Sequence, residues 1–411
     1  MNLLRKIGGI MLMLLLSMGV SAQGLSVAES ELSVAERNAQ LGFDDTIDRL
    51  AEDFVEVSLV VCNPGELLYS SFGHVMLRLR CRTFGLDNVF TYESEPIYDN
   101  WARFLQGDLK MGMYAIPVDS MLRPYRDDGR GVVEYMLHLS PTQEQNLWRI
   151  MDEMVEKGAN QPYDYYNHGC ALSVVHVLSQ AVGRQRIKYA PWPKKFDSTM
   201  RELGYECVTR SGQFWNRFVL MTLAGSDIDG TLPQERKLIV PTDLAETWQR
   251  ATLDGHPLLE STPRVLVEHT LKSKQTRITP LMVSVLLLVL SLFSFFVRNT
   301  RISGLGIVAQ SIDYLVLACQ TIIGIFVSYT VIFSTLPCTT WNWLIIPFNI
   351  LPAICWYWRR YWALPYVGIC LVWIVVMLLW PHRLVEPAHI LLALSFSIIL
   401  LKQWWVAKEK I

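Results

Sequence analysis

"VEVSLVVCNPGELLYSSFGHVMLRLRC", residues 55–81, decides how the first half of this chain folds. Its first eight residues are mostly β-branched and apolar, which predicts a strand over 55–62. Asn63-Pro64-Gly65 breaks the run. Residues 74–81 alternate apolar and basic, the pattern of a half-buried strand. Further strands are predicted at 88–94, 111–118 and 131–139, with Asp127-Asp128-Gly129 as the turn before the last. Helices interrupt these strands. Ser140-Pro141-Thr142-Gln143 reads as a helix start, with a Ser cap, Pro at the first position and Gln three residues after the cap. Leu147, Ile150, Met151, Met154 and Val155 then form one apolar face, and Gly158 ends it. A second helix is predicted from Cys170 to Val182, stopped by Gly183. Together these elements predict an α+β domain over 53–278.

Composition narrows the function. The chain has 411 residues, room for two or three domains, and a net charge of −1, so no basic field points to nucleic acid. There is no Gly-rich phosphate loop and no zinc-type Cys/His spacing, so no metal or cofactor is expected. Apolar residues concentrate in the last third. Arg5 and Lys6, the apolar stretch Ile10 to Met18 and the small-residue site Val20-Ser21-Ala22 read as a secretory signal over 1–22. Residues 23–52 read as a polar lead with a short helix.

After residue 278 the pattern becomes that of a membrane domain, 279–411. Apolar runs at 281–297, 307–333, 341–358, 363–380 and 388–406 predict an all-α bundle of about five transmembrane helices. The number is four if the Pro-bearing third run is re-entrant. With the α+β domain outside, Arg298, Arg301, Arg359, Arg360, Lys402, Lys408 and Lys410 fall inside and Arg383 outside, which satisfies the positive-inside rule. Trp341, Trp343, Trp380 and Trp404 fall near the expected interfaces. Export makes disulfides permissible, and Cys62 with Cys81 is one candidate pair.

Cys170 is the candidate nucleophile. It opens a predicted helix, where free N–H groups and partial positive charge favour a thiolate, and Gly169 before it allows close approach. A thiol nucleophile needs a base, and His74, after Gly73 at a strand start, is the best candidate. Either residue alone reads more naturally as structural; the order strand-His then helix-Cys shifts the pair toward catalysis. Arg78 shares the His74 face and reads as either a lipid-phosphate contact or an ion-pair partner. Glu93 is a candidate to orient His74 from the next strand. His176 faces away from Cys170. Asp313, inside a membrane run, is either functional or interfacial, and Asn342 and Asn349 are candidate headgroup contacts.

The stretch from Glu56 to Arg80 resembles the start of the Lnb-type bacterial lipoprotein N-acyltransferase family, in Pro64-Gly65, Tyr69, Phe72-Gly73-His74 and Leu77-Arg78. The downstream tyrosines Tyr163, Tyr165 and Tyr166, then Asn167-His168-Gly169-Cys170, resemble the family's Tyr-rich lead into Asn-Cys. In the family Asn directly precedes Cys; here Gly169 stands there. Segments 222–244 and 333–352 also resemble the family, without its histidine near Leu336-Pro337.

The resemblance implies a circularly permuted papain-like domain of the lecithin:retinol acyltransferase type in the periplasm, followed by an inner-membrane bundle with a cytoplasmic C-terminus. It implies Cys170 and His74 as catalytic residues, with Asn167, His168, Arg78 and Tyr165 orienting or contacting substrate. Phospholipid would be the acyl donor and diacylglyceryl lipoproteins the acceptors, without cofactor. Alternatives are an envelope thiol hydrolase (peptidase or lipid amidase) and a catalytically degenerate membrane scaffold.

Overall fold

Alternating side chains build the sheet of the first half. The computed structural model describes residues 55–162, 164–191, 199–271, 277–299, 302–380 and 384–409. The expected signal and lead, Tyr163, Arg301, Arg383 and Lys410 lie outside the described residues, as does the side chain of Tyr165. Strands β1 (Glu56–Cys62), β2 (His74–Cys81) and β3 (Leu86–Ser94) form a meander. Helix α1 (Trp101–Gln106) leads to β4 (Lys110–Pro117), and α2 (Val118–Asp127) to β5 (Val132–Met136). With the short β6 (Gln161–Pro162) and β7 (Arg264–Val267) they make one antiparallel sheet, ordered β7-β5-β1-β2-β3-β4-β6.

The two-residue period sorts the sheet faces. Val60, Cys62, Met76, Val89 and Val132 pack with Val118, Leu122 and Tyr125 of α2. Leu59, Leu77 and Leu79 are buried on the opposite face. Helix α4 (Cys170–Val182) packs against β2 and β3, α7 (Pro241–Trp248) against β1, and α3 (Pro141–Lys157) against β4 and α4. The expected capping box starts α3: Ser140 Oγ accepts from Gln143 N, and the Gln143 side chain accepts from Ser140 N at 2.8 Å. Helix α4 has the predicted bounds. Its stop, Gly183, has φ 91°, which a side chain disfavours.

The Cys62–Cys81 disulfide is excluded by register. Cys62 pairs with His74 at one end of β2, and Cys81 lies at the other end. Seven residues of strand separate them, about 23 Å at ~3.3 Å per residue, far beyond disulfide reach. All eight cysteines are free thiols.

The C-terminal region departs from five regular helices. Helices α8 (Pro280–Phe296), α9 (Ser303–Phe333), α10 (Arg359–Leu379) and α11 (Pro387–Glu409) are present. Three stretches are long and apolar enough to span: Gly304–Phe333, Trp356–Leu379 and Pro387–Lys408; Pro280–Phe296 is shorter. The run 341–358 is broken into short turns at Trp343–Ile345, Leu351–Ile354 and Trp356–Trp358. It contains Pro347 and Pro352, which remove helix donors. Its carbonyls find other partners. Gln320 Nε2 donates to Asn349 O at 3.0 Å, and Tyr366 OH donates to Ile346 O and Pro347 O at 3.1 Å each. Asn349 donates to Ile345 O and Tyr366 OH and accepts from Leu351 N, so it serves this segment rather than a headgroup. Irregular backbone at membrane depth is tolerated only with such internal satisfaction.

A buried polar cluster ties α8, α9 and α11. Lys402 Nζ donates to Asp313 Oδ2 at 2.7 Å and Ser294 Oγ at 2.8 Å; Gln403 Nε2 reaches Asp313 Oδ2 at 2.7 Å. Asp313 is thus a helix-pairing residue, and Lys402 is its counter-charge rather than a loop cation.

The sheet domain is bonded to the bundle through α6 (Phe214–Leu223), which follows α5 (Met200–Arg210). Arg217 pairs with buried Glu386 at 2.8 Å, and Thr222 Oγ1 meets His389 Nε2 at 2.8 Å. Asn342 Nδ2 donates to Thr222 O at 2.8 Å, so Asn342 is a seam residue. Gly225 N donates to Cys338 O at 2.8 Å, and a Cβ there would lie 1.9 Å from Thr340 O.

Candidate active site

The β1–β2 turn places His74. Gly73 has φ 81°, and a Cβ on it would lie 2.5 Å from Cys62 O. Only glycine allows this close return, which starts β2 with His74 opposite Cys62. The β2–β3 register, Leu77 opposite Phe90, continues to set His74 opposite Glu93. His74 Nε2 lies 2.7 Å from Thr91 Oγ1 and 3.1 Å from Glu93 Oε1. Thr91 Oγ1 itself donates to Glu93 Oε1 at 2.9 Å. The Nε2 proton is therefore shared between a hydroxyl and a carboxylate, and Nδ1 is left for another partner.

Cys170 is the other group that acts on His74: its thiol raises the proton affinity of the imidazole by charge and by side-chain hydrogen bonding. Cys170 is the first residue of α4, after Gly169 in an extended conformation, and no side chain caps the helix. The first N–H groups of a helix have no partners within it, so those beside the sulfur are free to bind a developing oxyanion.

Electrostatics favour a charged imidazole. Burial lowers the affinity of His74 for its proton, but Glu93 and Cys170 outweigh it and hold the pKa well above 6.5. Burial raises Glu93, yet His74 and the Thr91 hydrogen bond bring it below the usual value of 4.5. The side chain of His74 is 13% exposed and that of Glu93 40%, so the acid is the wetter partner. Cys62 differs: it is fully buried, hydrogen-bonded to Tyr125, and pushed up to about 11 by burial, partly offset by His74 and Arg130. It remains a neutral thiol near neutral pH.

The other candidates from sequence are placed elsewhere or committed. Arg78 donates to both Asp87 oxygens at 2.7 Å and to Glu134 at 2.9 Å. Its guanidinium is occupied by this ion-pair network. Asn167 bonds Asp164 through its own backbone N and Nδ2, and accepts from Arg236 at 2.9 Å. It fixes the one-turn helix Tyr165–His168 ahead of Cys170. His168 and His176 are exposed. Thr91, fully buried beside His74, escaped the sequence reading; strand register is the signal that finds it. Among the described residues no group of three or more His, Cys, Asp or Glu could hold a metal ion.

Two family models match this chain. A family model described as the Lnb N-terminal periplasmic domain matches residues 43–203, which include His74, Thr91, Glu93 and Cys170. A second, the Lnb transmembrane domain, matches residues 272–410. No curated protein and no solved structure matches the chain. Two models in the family's own order cover most of the sequence: the chain belongs to the Lnb family of membrane-associated proteins.

Proposed function

We propose that this protein is a cysteine-dependent acyltransferase. It moves a fatty acyl chain from phospholipid, through a Cys170 thioester, to the N-terminal amine of diacylated lipoproteins. The observation that supports the reading is a helix-opening thiol that acts electrostatically on a buried histidine whose Nε2 is held by Thr91 and Glu93.

The chemistry runs in two halves. His74 takes the thiol proton, and the sulfur attacks the acyl ester carbon. The N–H groups at the start of α4 hold the oxyanion. His74 returns the proton to the leaving alkoxide, and lysophospholipid departs. The acceptor amine then attacks the thioester, His74 accepts its proton, and the thiol is regenerated as the amide forms. No cofactor enters either half. Residues 1–22 act as a signal peptide, 53–278 form the periplasmic papain-like domain, and 279–411 sit in the inner membrane. The broken segment 341–358 makes the fifth crossing, which puts the C-terminus in the cytoplasm with Arg298, Arg359 and Lys408.

The test is mass spectrometry of lipoprotein N-termini from cells carrying the wild type or Cys170→Ala at equal level. Loss of the N-acyl mass in the mutant is expected. Persistent N-acylation, with no second enzyme present, overturns the reading. Release of free fatty acid without an acylated amine would favour the hydrolase, and no Cys170-dependent product at all the scaffold.

A further inference from the structure

Arg130 stands apart from the other arginines near the site. It follows Gly129, whose φ of 66° turns the chain from α2 into β5. Its Nε and Nη2 both donate to the carbonyl of Asn63, at 3.0 and 2.9 Å. Its guanidinium lies 4.6 Å over the Tyr125 ring. Asn63 directly follows Cys62, the strand partner of His74. Arg130 is thus anchored beside the catalytic histidine by neutral groups alone. Among the described residues no carboxylate lies within 4 Å of it, and Nη1 has no hydrogen-bond partner. Arg78, Arg103, Arg201, Arg210 and Arg217, by contrast, are all paired with acids.

An anchored guanidinium with no carboxylate in direct contact is preorganised for an anion with several oxygens. The surroundings suit a lipid anion. Tyr69 is 48% exposed and Tyr98 41%; Tyr69 interacts electrostatically with Arg130 and with Tyr98, and Arg130 also acts on Glu93. Leu67, 49% exposed, adds apolar surface to the same loop. In a glycerophospholipid only the glycerol backbone separates the acyl ester from the phosphate. A cation beside the His74 strand pair is therefore where a donor's phosphate falls when its ester meets Cys170.

We propose that Arg130, with the rim phenols Tyr69 and Tyr98, forms the subsite that recognises the phosphodiester of the acyl donor. This rests on Cys170 being acylated by phospholipid.

The experiment uses the full-length protein in phosphatidylethanolamine vesicles and reads the acyl mass on Cys170 in single turnovers. A parallel series uses a phosphate-free activated ester of the same fatty acid. Arg130→Gln is expected to lower acylation from phospholipid by about 10–100-fold, the scale of a charge-assisted contact. The effect enters mainly through KM, and exceeds the effect on the phosphate-free ester at least tenfold. Arg130→Lys recovers part of it. Glycerol phosphate inhibits the wild type and not Arg130→Gln; inhibition by inorganic phosphate alone would identify a free-anion site and overturn the lipid assignment. Equal loss on both donors makes Arg130 a support for the Asn63 loop and overturns the proposal, as does no loss on either. If wild-type Cys170 accepts acyl from neither donor, the acyltransferase reading itself has failed.

Discussion

Glu93→Gln tests the site most directly, because it changes one charge and almost no volume. The carboxylate lies 3.1 Å from His74 Nε2. Two unit charges about 4 Å apart interact by about 4 kcal/mol at an effective dielectric of ~20. Glu93 is 40% exposed, and solvent screening reduces the interaction to about 1–2 kcal/mol, or roughly 5–30-fold. Removing the carboxylate leaves burial to lower the His74 pKa against Cys170 alone. In the proposed reaction the imidazolium protonates the leaving alkoxide, so the alkaline limb of the rate profile moves to lower pH by about one unit. The stability effect has a matching sign. A raised His74 pKa stabilises the fold fully below its ordinary value of 6.5, and that contribution is lost as pH rises through the folded value. The melting difference between wild type and Glu93→Gln therefore shrinks toward alkaline pH. The assay is Cys170 acylation against pH, paired with melting curves. Rates within twofold of wild type at every pH would show that His74 and Cys170 work without an acid, and the orienting role of Glu93 would be refuted.

Other residues give sharper yes-or-no outcomes. Iodoacetamide near neutral pH should label partly exposed Cys170 much faster than buried Cys62 and Cys207, and His74→Gln should remove that advantage; equal labelling counts against an activated thiol. Arg78→Ala leaves Glu134, 3% exposed, without its cation, so unfolding should cost about 3 kcal/mol less while acylation per folded molecule persists; a selective loss of phospholipid use at normal stability would restore the lipid-contact reading. Lys402→Met strands Asp313 in the bundle and should destabilise it by about 3–5 kcal/mol, with Lys402→Met/Asp313→Leu recovering most of the loss in detergent melting; no recovery would mean that the charge itself is needed.

Local rules made part of this legible. The capping box at Ser140 and Gln143, the stop at Gly183 and the alternation of β2 all depend on near neighbours, and all appear where the sequence puts them. Glu93 was within reach for the same reason, since a hairpin turn at 82–85 sets its position against His74. The commitments of Arg78, Asn167, Asn342 and Asn349 were not legible. Each depends on a residue distant in sequence or on the path of an irregular segment: Glu134, Arg236, Thr222 and Tyr366. The run 341–358 misled because hydropathy reports the solvent, not the backbone. Tyr366 and Gln320 supply the donors that let an apolar segment abandon the helix.

Both halves of the site are tied, through intermediate elements, to the membrane bundle. On one side, Gln213 Nε2 donates to Gly65 O at 2.6 Å and Asn216 Nδ2 to Glu66 O at 2.9 Å, pinning the loop that ends in Gly73 and His74. Asn216 belongs to α6, which also carries Arg217 and Thr222 onto Glu386 and His389 at the start of α11. On the other side, the turn Pro337–Thr339 beyond α9 contacts the one-turn helix that delivers Cys170, and Cys338 packs against the apolar cluster that includes Leu172 of α4. Histidine and cysteine thus reach their places by separate routes that both end on the bundle. Misplacing reacting groups by about 1 Å can cost about 100-fold in rate. A shift of the bundle under the sheet therefore acts on the relative placement of His74 and Cys170. The membrane part is then more than a tether: a soluble fragment ending before residue 279 would lose the supports that hold Cys170 and His74 in register.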